Sequence, residues 1–248
     1  MARGRAMVGQ LQSARLTAVQ FNPKEYILTD LLPAIELVTN HHPVASIIWL
    51  HGLGADGNDF VPLVKELGLP DDKPVRFIFP HAPMRPVTIN GGQVMRAWYD
   101  LGLVAGQMTS KEEHIRVSQK AVNALVEREV ARGIPAEKIF LAGFSQGGVI
   151  ALQTGLRYPK KLGGILALST YLALAGSLPA ERSEANASTP IYMGHGRDDP
   201  VIAMSMALRS RDELQRLGYR VEWHEYPMQH SVCMAEVETI SAWLQRNL

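Results

Sequence analysis

The sequence predicts an α/β fold in which a mostly parallel central sheet carries helices on both faces. Three observations predict it. Short apolar runs alternate with longer amphipathic segments along most of the chain. Most of the runs lack polar alternation, the pattern expected of strands covered on both sides. The chain also has 248 residues, 46% of them hydrophobic and 20% charged, which suits one α/β domain large enough to bury its own core.

The strand-like runs are Ser46–Leu50, Val75–Phe79, Ile139–Ala142, Gly164–Leu168, Pro190–Met193 and Arg220–Glu225. An earlier edge strand is expected around Tyr26–Leu28. Helices are expected between the runs. Asn58–Leu67 opens with Asn and Asp, which have good N-capping chemistry. Lys111–Arg132 places apolar residues at Ile115, Val122, Leu125 and Val126 and ends at Gly133. Gln146–Arg157 follows the third run, and Met204–Leu217 ends at Gly218. Val232–Arg246 closes the chain, with Ser231 as its cap. Strand–helix alternation of this kind implies right-handed crossovers, and in such sheets sites form at the carboxyl ends of the strands. A functional residue should therefore sit just after a strand.

Composition excludes several function classes. With 25 basic against 24 acidic residues the formal net charge is +1, so no strong field recruits nucleic acid or an anionic membrane. The single cysteine, Cys233, allows no internal disulfide and reads as a small packing residue. Residues 1–16 carry charge without a following apolar run of signal-peptide length, and read as a poorly ordered leader or start-site artefact ahead of one domain over 17–248. The longest uncharged stretch, Leu162–Ala180, holds three glycines, two serines, a threonine and a proline, and reads as a buried strand followed by a loop rather than a membrane span. A cytoplasmic protein fits these features, and a homodimer is compatible with them.

Gly143-Phe144-Ser145-Gln146-Gly147 matches Gly-x-Ser-x-Gly. The motif alone is weak, with a chance match in such a chain having a probability on the order of 0.1. Its context strengthens it: a buried run precedes it and a helical segment follows, the setting of a nucleophile elbow. The turn should force Ser145 to positive φ at a cost of about 1–3 kcal/mol. Side chains at 143 and 147 should collide across it.

A serine hydroxyl needs a base. Of eight histidines, only His195, His224 and His230 follow Ser145. In this chain order the acid lies between serine and histidine. His195 precedes the acid, His224 sits within a strand, and His230 falls in the loop between the last strand and the last helix. The turn Gly194–Val201 offers Asp198 and Asp199 as the acid that orients the imidazole; the other would cap a turn or pair with Arg197. Leu50-His51-Gly52-Leu53-Gly54-Ala55-Asp56-Gly57 follows the first buried run. Such a loop supplies one backbone amide to an oxyanion, and the residue after the nucleophile supplies another. The assignment is Leu53 and Gln146. No Gly-Lys-Ser/Thr follows this loop, so it is not a phosphate loop.

With these pieces in order, the chain resembles the family of carboxylesterases, acyl-protein thioesterases and lysophospholipases, most of all its bacterial carboxylesterase branch. The pieces are Leu50–Gly54, Pro80–Pro83 with Pro86–Thr88, Asn90-Gly91-Gly92, Trp98-Tyr99-Asp100, Gly143–Gly148, His195-Gly196 with Asp199-Pro200-Val201, and His230-Ser231. They span about residues 24–247. The resemblance implies an α/β-hydrolase fold with no large lid domain, no metal and no cofactor. It also resolves the acid as Asp199, which directly precedes the Pro-Val pair. Together Ser145, Asp199 and His230 imply a serine hydrolase acting on small acyl esters or thioesters. Trp98, Tyr99 and Asp100 are either beside the site or a structural anchor with a capping Asp.

Only 19 residues, Tyr171 to Thr189, lie where a lid would be inserted, so the site should be shallow and open. Candidate apolar walls are Leu53, Trp98, Tyr171, Leu172 and Val201, each of which could equally be core. The expected substrates are short- to medium-chain acyl esters, with acyl-protein thioesters or lysophospholipids as the alternative. A non-catalytic binding module on a hydrolase scaffold would typically lack one of the three residues, and all are present. A metal hydrolase is disfavoured, since the chain has no His-Glu-x-x-His and the His41-His42 pair lacks ligand spacing.

Overall fold

The computed structural model describes residues 17–18, 31–104 and 107–248. The expected leader over 1–16 and the edge strand at Tyr26–Leu28 lie outside the described residues. The first strands are β1 (Thr17–Ala18), β2 (Ala34–Val38) and β3 (Ala45–Leu50), followed by helix α1 (Leu63–Glu66) and β4 (Val75–Pro80). Four short strands come next: β5 (Met84–Val87), β6 (Gln93–Arg96), β7 (Leu101–Val104) and β8 (Gln107–Ser110). Then come α2 (Glu112–Ala131), β9 (Ile139–Phe144), α3 (Gln146–Gly155), β10 (Gly164–Leu168), α4 (Leu178–Glu181), β11 (Ile191–Gly196), α5 (Met204–Arg216), β12 (Val221–Tyr226) and α6 (Met234–Asn247).

Eight strands form the main sheet in the order β1-β2-β4-β3-β9-β10-β11-β12. β1 and β2 pair antiparallel at one edge, and every pairing from β4 to β12 is parallel. Successive residues feed different cores, which is why the runs read as continuously apolar. In β3, Ile48 and Leu50 face a core with α2, α3 and Leu214 of α5. Ile47 and Trp49 face another with Val64 of α1 and Val237, Ile240, Trp243 and Leu244 of α6. At the antiparallel edge, the buried Glu129 of α2 takes hydrogen bonds from Ser46 and Arg76, pinning the helix to β3 and β4.

Three expectations need correction. The helix expected over Asn58–Leu67 is mostly turns. Asp56 Oδ1 accepts from both the amide and the side chain of Asn58, an Asx turn that competes with helix. Pro62 then disfavours helical geometry at Val61 and serves as the N-cap of a helix only four residues long. The last helix starts at Met234 with Cys233, not Ser231, in the extended cap position. Finally, β1, β2 and β5–β8 had no counterpart in the strand assignment. The uncharged stretch Leu162–Ala180 does divide into a buried strand and a loop with a short helix, and no described helix is long and apolar enough to cross a membrane.

One buried group is out of balance. Glu236, in the first turn of α6, is fully buried and neither carboxyl oxygen has a hydrogen-bond partner among the described residues. Burial pushes its pKa from 4.5 up to about 8. Between those values the unfolded chain has lost this proton and the folded chain keeps it, so stability falls as pH rises through the window and levels off above it. The loss is on the order of 5 kcal/mol. Glu236→Gln should therefore be more stable than the parent at pH 8, with a flatter dependence between pH 4.5 and 8 in urea-unfolding series. Parallel pH profiles for the two proteins would contradict this.

Candidate active site

The site is built at the carboxyl ends of β3, β9, β11 and β12. Between β9 and α3, Ser145 has φ 54 and ψ −120, the positive φ expected of the elbow. Neighbouring segments hold this strained corner. The Ser145 amide donates to Leu168 O of β10 at 2.9 Å, and Thr170 Oγ1 donates to Ser145 O at 2.7 Å. The two flanking glycines have different reasons. A Cβ on Gly143 would lie 2.3 Å from the Gly147 backbone, the expected collision across the turn. A Cβ on Gly147 would instead lie 2.2 Å from Leu50 O, so that glycine exists because α3 enters against the end of β3.

His230 lies in the loop after β12, and its Nδ1 donates to Asp199 Oδ2 at 2.7 Å. The other Asp199 oxygen accepts from the amides of Val201 and Ile202, both at 2.8 Å. The carboxylate is thus held by its own turn and aimed at the imidazole. The Phe144 ring packs on that imidazole with centroids 4.7 Å apart. Asp198 is exposed, and Arg197 pairs with Glu225 rather than with either aspartate. Ser145 Oγ and His230 line one cavity, but no hydrogen bond joins them among the described residues. Such bonds are often long or misaligned before substrate binds.

The two rejected histidines have structural places. His224 on β12 lies beside Glu222, 3.1 Å away. His195 is buried on β11, and its Nε2 donates to Ile202 O at 2.9 Å, closing the turn that carries Asp199.

The β3–α1 loop is equally constrained. Burial lowers the pKa of His51 from 6.5 to about 4, so the ring is neutral at pH 7. Its Nδ1 therefore donates to Gly52 O at 2.7 Å while Nε2 accepts from the Ala82 amide at 3.0 Å. The amides of Leu53 and Gln146 have no hydrogen-bond partner among the described residues, and both residues line the cavity with Ser145. Helix α3 starts at Gln146, so its positive end faces the same space.

The Gln146 side chain was missed as a structural element. Its Oε1 accepts from the Trp98 amide at 2.9 Å and its Nε2 donates to Tyr99 O at 2.8 Å. It clamps the Trp98-Tyr99-Asp100 segment to the elbow. Asp100 accepts from the amide and hydroxyl of Thr88, tying the connection between β5 and β6 back to the segment that follows β6.

The cavity has a volume of about 480 Å³. Of the expected walls, Leu53, Tyr171 and Val201 line it. Trp98 does not: it is fully buried behind the site, where its indole N–H donates to His51 O at 2.8 Å. Leu172 does not either; it lines a smaller neighbouring hollow with Met206 and Arg209. Ile89, Tyr99, Leu101, Phe144 and Ile202 supply apolar wall that the sequence analysis did not assign. Ile89 and Leu101 belong to the β5–β8 excursion, so the site is covered from before α2 as well as by Tyr171 after β10. Asn90-Gly91 between two short runs was the hairpin signal that could have placed it. A second cavity of similar size, about 490 Å³, sits at the opposite ends of β11 and β12, around Pro190, Arg220 and Arg246. Among the described residues, no group of three or more His, Cys, Asp or Glu side chains is placed to hold a metal ion.

A profile of the phospholipase/carboxylesterase family matches residues 34–248. Acyl-protein thioesterase 1 of Neurospora crassa is 37% identical over 227 residues, covering 88% of this chain and 91% of the relative. Carboxylesterase SOBER1 of Arabidopsis thaliana is 34% identical over 205 residues, covering 82% and 90%. The crystal structure of SOBER1 aligns with a TM-score of 0.77 at 33% identity, over 82% of this chain and 98% of that one.

The burial of His51 carries a pH signature. Its folded pKa lies below the unfolded value, so the unfolded chain binds the extra proton first. Stability is full above pH 6.5 and falls as pH drops toward about 4, by on the order of 3 kcal/mol. In an NMR titration the His51 ring should stay neutral until about pH 4; a midpoint near 6.5 would contradict its buried, doubly bonded state.

Proposed function

Because the chain belongs to the phospholipase/carboxylesterase family and is a hydrolase of the α/β-hydrolase fold, we propose that it cleaves short- to medium-chain acyl esters through an acyl-enzyme on Ser145. The observation that carries this reading is the 2.7 Å bond from His230 Nδ1–H to Asp199 Oδ2, in the cavity where Ser145 stands at its strained corner. That bond fixes the tautomer, leaving Nε2 with the lone pair a general base needs.

The mechanism runs in two halves. His230 Nε2 takes the Ser145 proton as Oγ attacks the acyl carbon. The developing oxyanion is received by the Leu53 and Gln146 amides, and Asp199 steadies the imidazolium without itself taking the proton. The imidazolium then protonates the departing alcohol or thiol, leaving the acyl group on Oγ. Water repeats the sequence to release the acid and restore the serine. Loss of one oxyanion donor in such a site typically costs about 10²–10³ in rate.

A second reading, hydrolysis of acylated proteins, is supported by relatives named acyl-protein thioesterase and by a segment after β10 too short for a lid domain. A thiolate is the better leaving group, and the same two amides serve either carbonyl.

Ser145→Ala should lower turnover of p-nitrophenyl butyrate by about 10⁴–10⁶ with an unchanged circular-dichroism spectrum. Retained turnover would rule the mechanism out. Rates on matched esters and thioesters of increasing acyl length would separate the two readings.

A further inference from the structure

The wall of the Ser145 cavity holds one carboxylate that the mechanism does not use. Asp59 lies between β3 and α1, and lines the cavity with Leu53, Ala55 and His230. Among the described residues it forms no ion pair, and none that lines the cavity is a lysine or arginine. Partial burial raises its pKa, with Asp56 on the same loop adding to the shift and no cation opposing it. Its carboxylate thus faces a ligand space without a counter-charge from the described residues. Ser145, a residue only 9% exposed, lines the same space, and its hydroxyl has no hydrogen-bond partner among the described residues.

Position decides which end of a substrate meets this charge. Asp59 is exposed, whereas Tyr99 and Leu101 of the same cavity are buried. The carboxylate therefore belongs to the outer end, which it shares with the exposed Ile89 and Val201, and Tyr99 and Leu101 belong to the inner end. An acyl chain gains by filling the inner end. The alcohol or thiol must leave through the outer one.

Resting on the proposed function, we propose that Asp59 selects substrates by the charge of their leaving group: cationic and neutral esters or thioesters are accepted, and anionic ones are disfavoured. A unit charge roughly 7 Å from a carboxylate in a partly open cleft changes an affinity by about three- to tenfold at low salt. Between a cation and an anion of one shape the effects compound, so their ratio of kcat/KM should be about tenfold or more. The interaction is screened, so the ratio shrinks with salt.

The test uses three butyrate esters of similar size: butyrylcholine (cationic), 3,3-dimethylbutyl butyrate (neutral) and 2-sulfoethyl butyrate (anionic). Butyrate release is followed at pH 7.5 in about 10 mM and 500 mM salt. The expected kcat/KM order at low salt is cation, neutral, anion, with the spread compressed at high salt. Asp59→Asn should reduce the cation-to-anion ratio about three- to tenfold, Asp59→Glu should keep it, and Asp59→Lys should invert the order. The neutral ester serves as the internal reference for each variant, and the salt response of the parent needs no variant. A parent enzyme blind to charge, or a ratio unmoved by Asp59→Asn, would overturn the proposal while leaving neutral-ester turnover intact. Failure of the Ser145 mechanism would read differently, as neutral-ester turnover surviving Ser145→Ala.

Discussion

The site depends on a single backbone constraint, the positive φ of Ser145 at the end of a central parallel strand. A non-glycine residue there costs about 1–3 kcal/mol and persists only where its surroundings fix it. They do so from three directions: Leu168 O holds its amide, Thr170 Oγ1 holds its carbonyl, and α3 presses against the end of β3 so closely that residue 147 has room only for hydrogen. The corner lifts Oγ out of the sheet. It also points the first amides of α3 at the space in front of that oxygen, so one distortion serves nucleophile and anion stabilisation together in the proposed mechanism.

Around this corner the other parts are linked by local hydrogen bonds rather than by long-range charge. Asp199 is held by the amides of its own turn, and the turn is closed by His195 on Ile202 O. The Leu53 loop is held by a neutral His51 and by the Trp98 indole. Gln146 contributes its side chain to the Trp98–Asp100 segment while its amide faces the cavity. Elements far apart in sequence thus arrive at one sheet edge already oriented, which limits the reorganisation required as charge develops.

Sequence made the parallel part of the central sheet legible because its strands are buried between helices, so they read as short apolar runs between amphipathic stretches. Ser145 and His230 were legible because each follows a strand in chain order, and Asp199 because the resemblance singled it out from Asp198; the structure sets Ser145 and His230 on one cavity, with Asp199 bonded to His230. The misses share a cause: β2 is only half-buried along its length, and neither β5–β8 nor the turn from Asp56 to Pro62 has a buried periodic face. The excursion is held by local bonds such as Thr88 to Asp100, and the turn by Asp56 to Asn58. Trp98 misled for a related reason. A large aromatic beside a site motif fits both a wall and a support, and only the partner of its indole N–H distinguishes them.

Labelling with a fluorophosphonate, followed by intact mass and peptide mapping, tests the central claim most directly. It requires the elbow, the base and the anion-stabilising amides to act together on one oxygen. The account predicts one adduct per chain, on Ser145, formed rapidly at neutral pH and lost when His230 is replaced by alanine. No adduct, or an adduct on another residue, would contradict it.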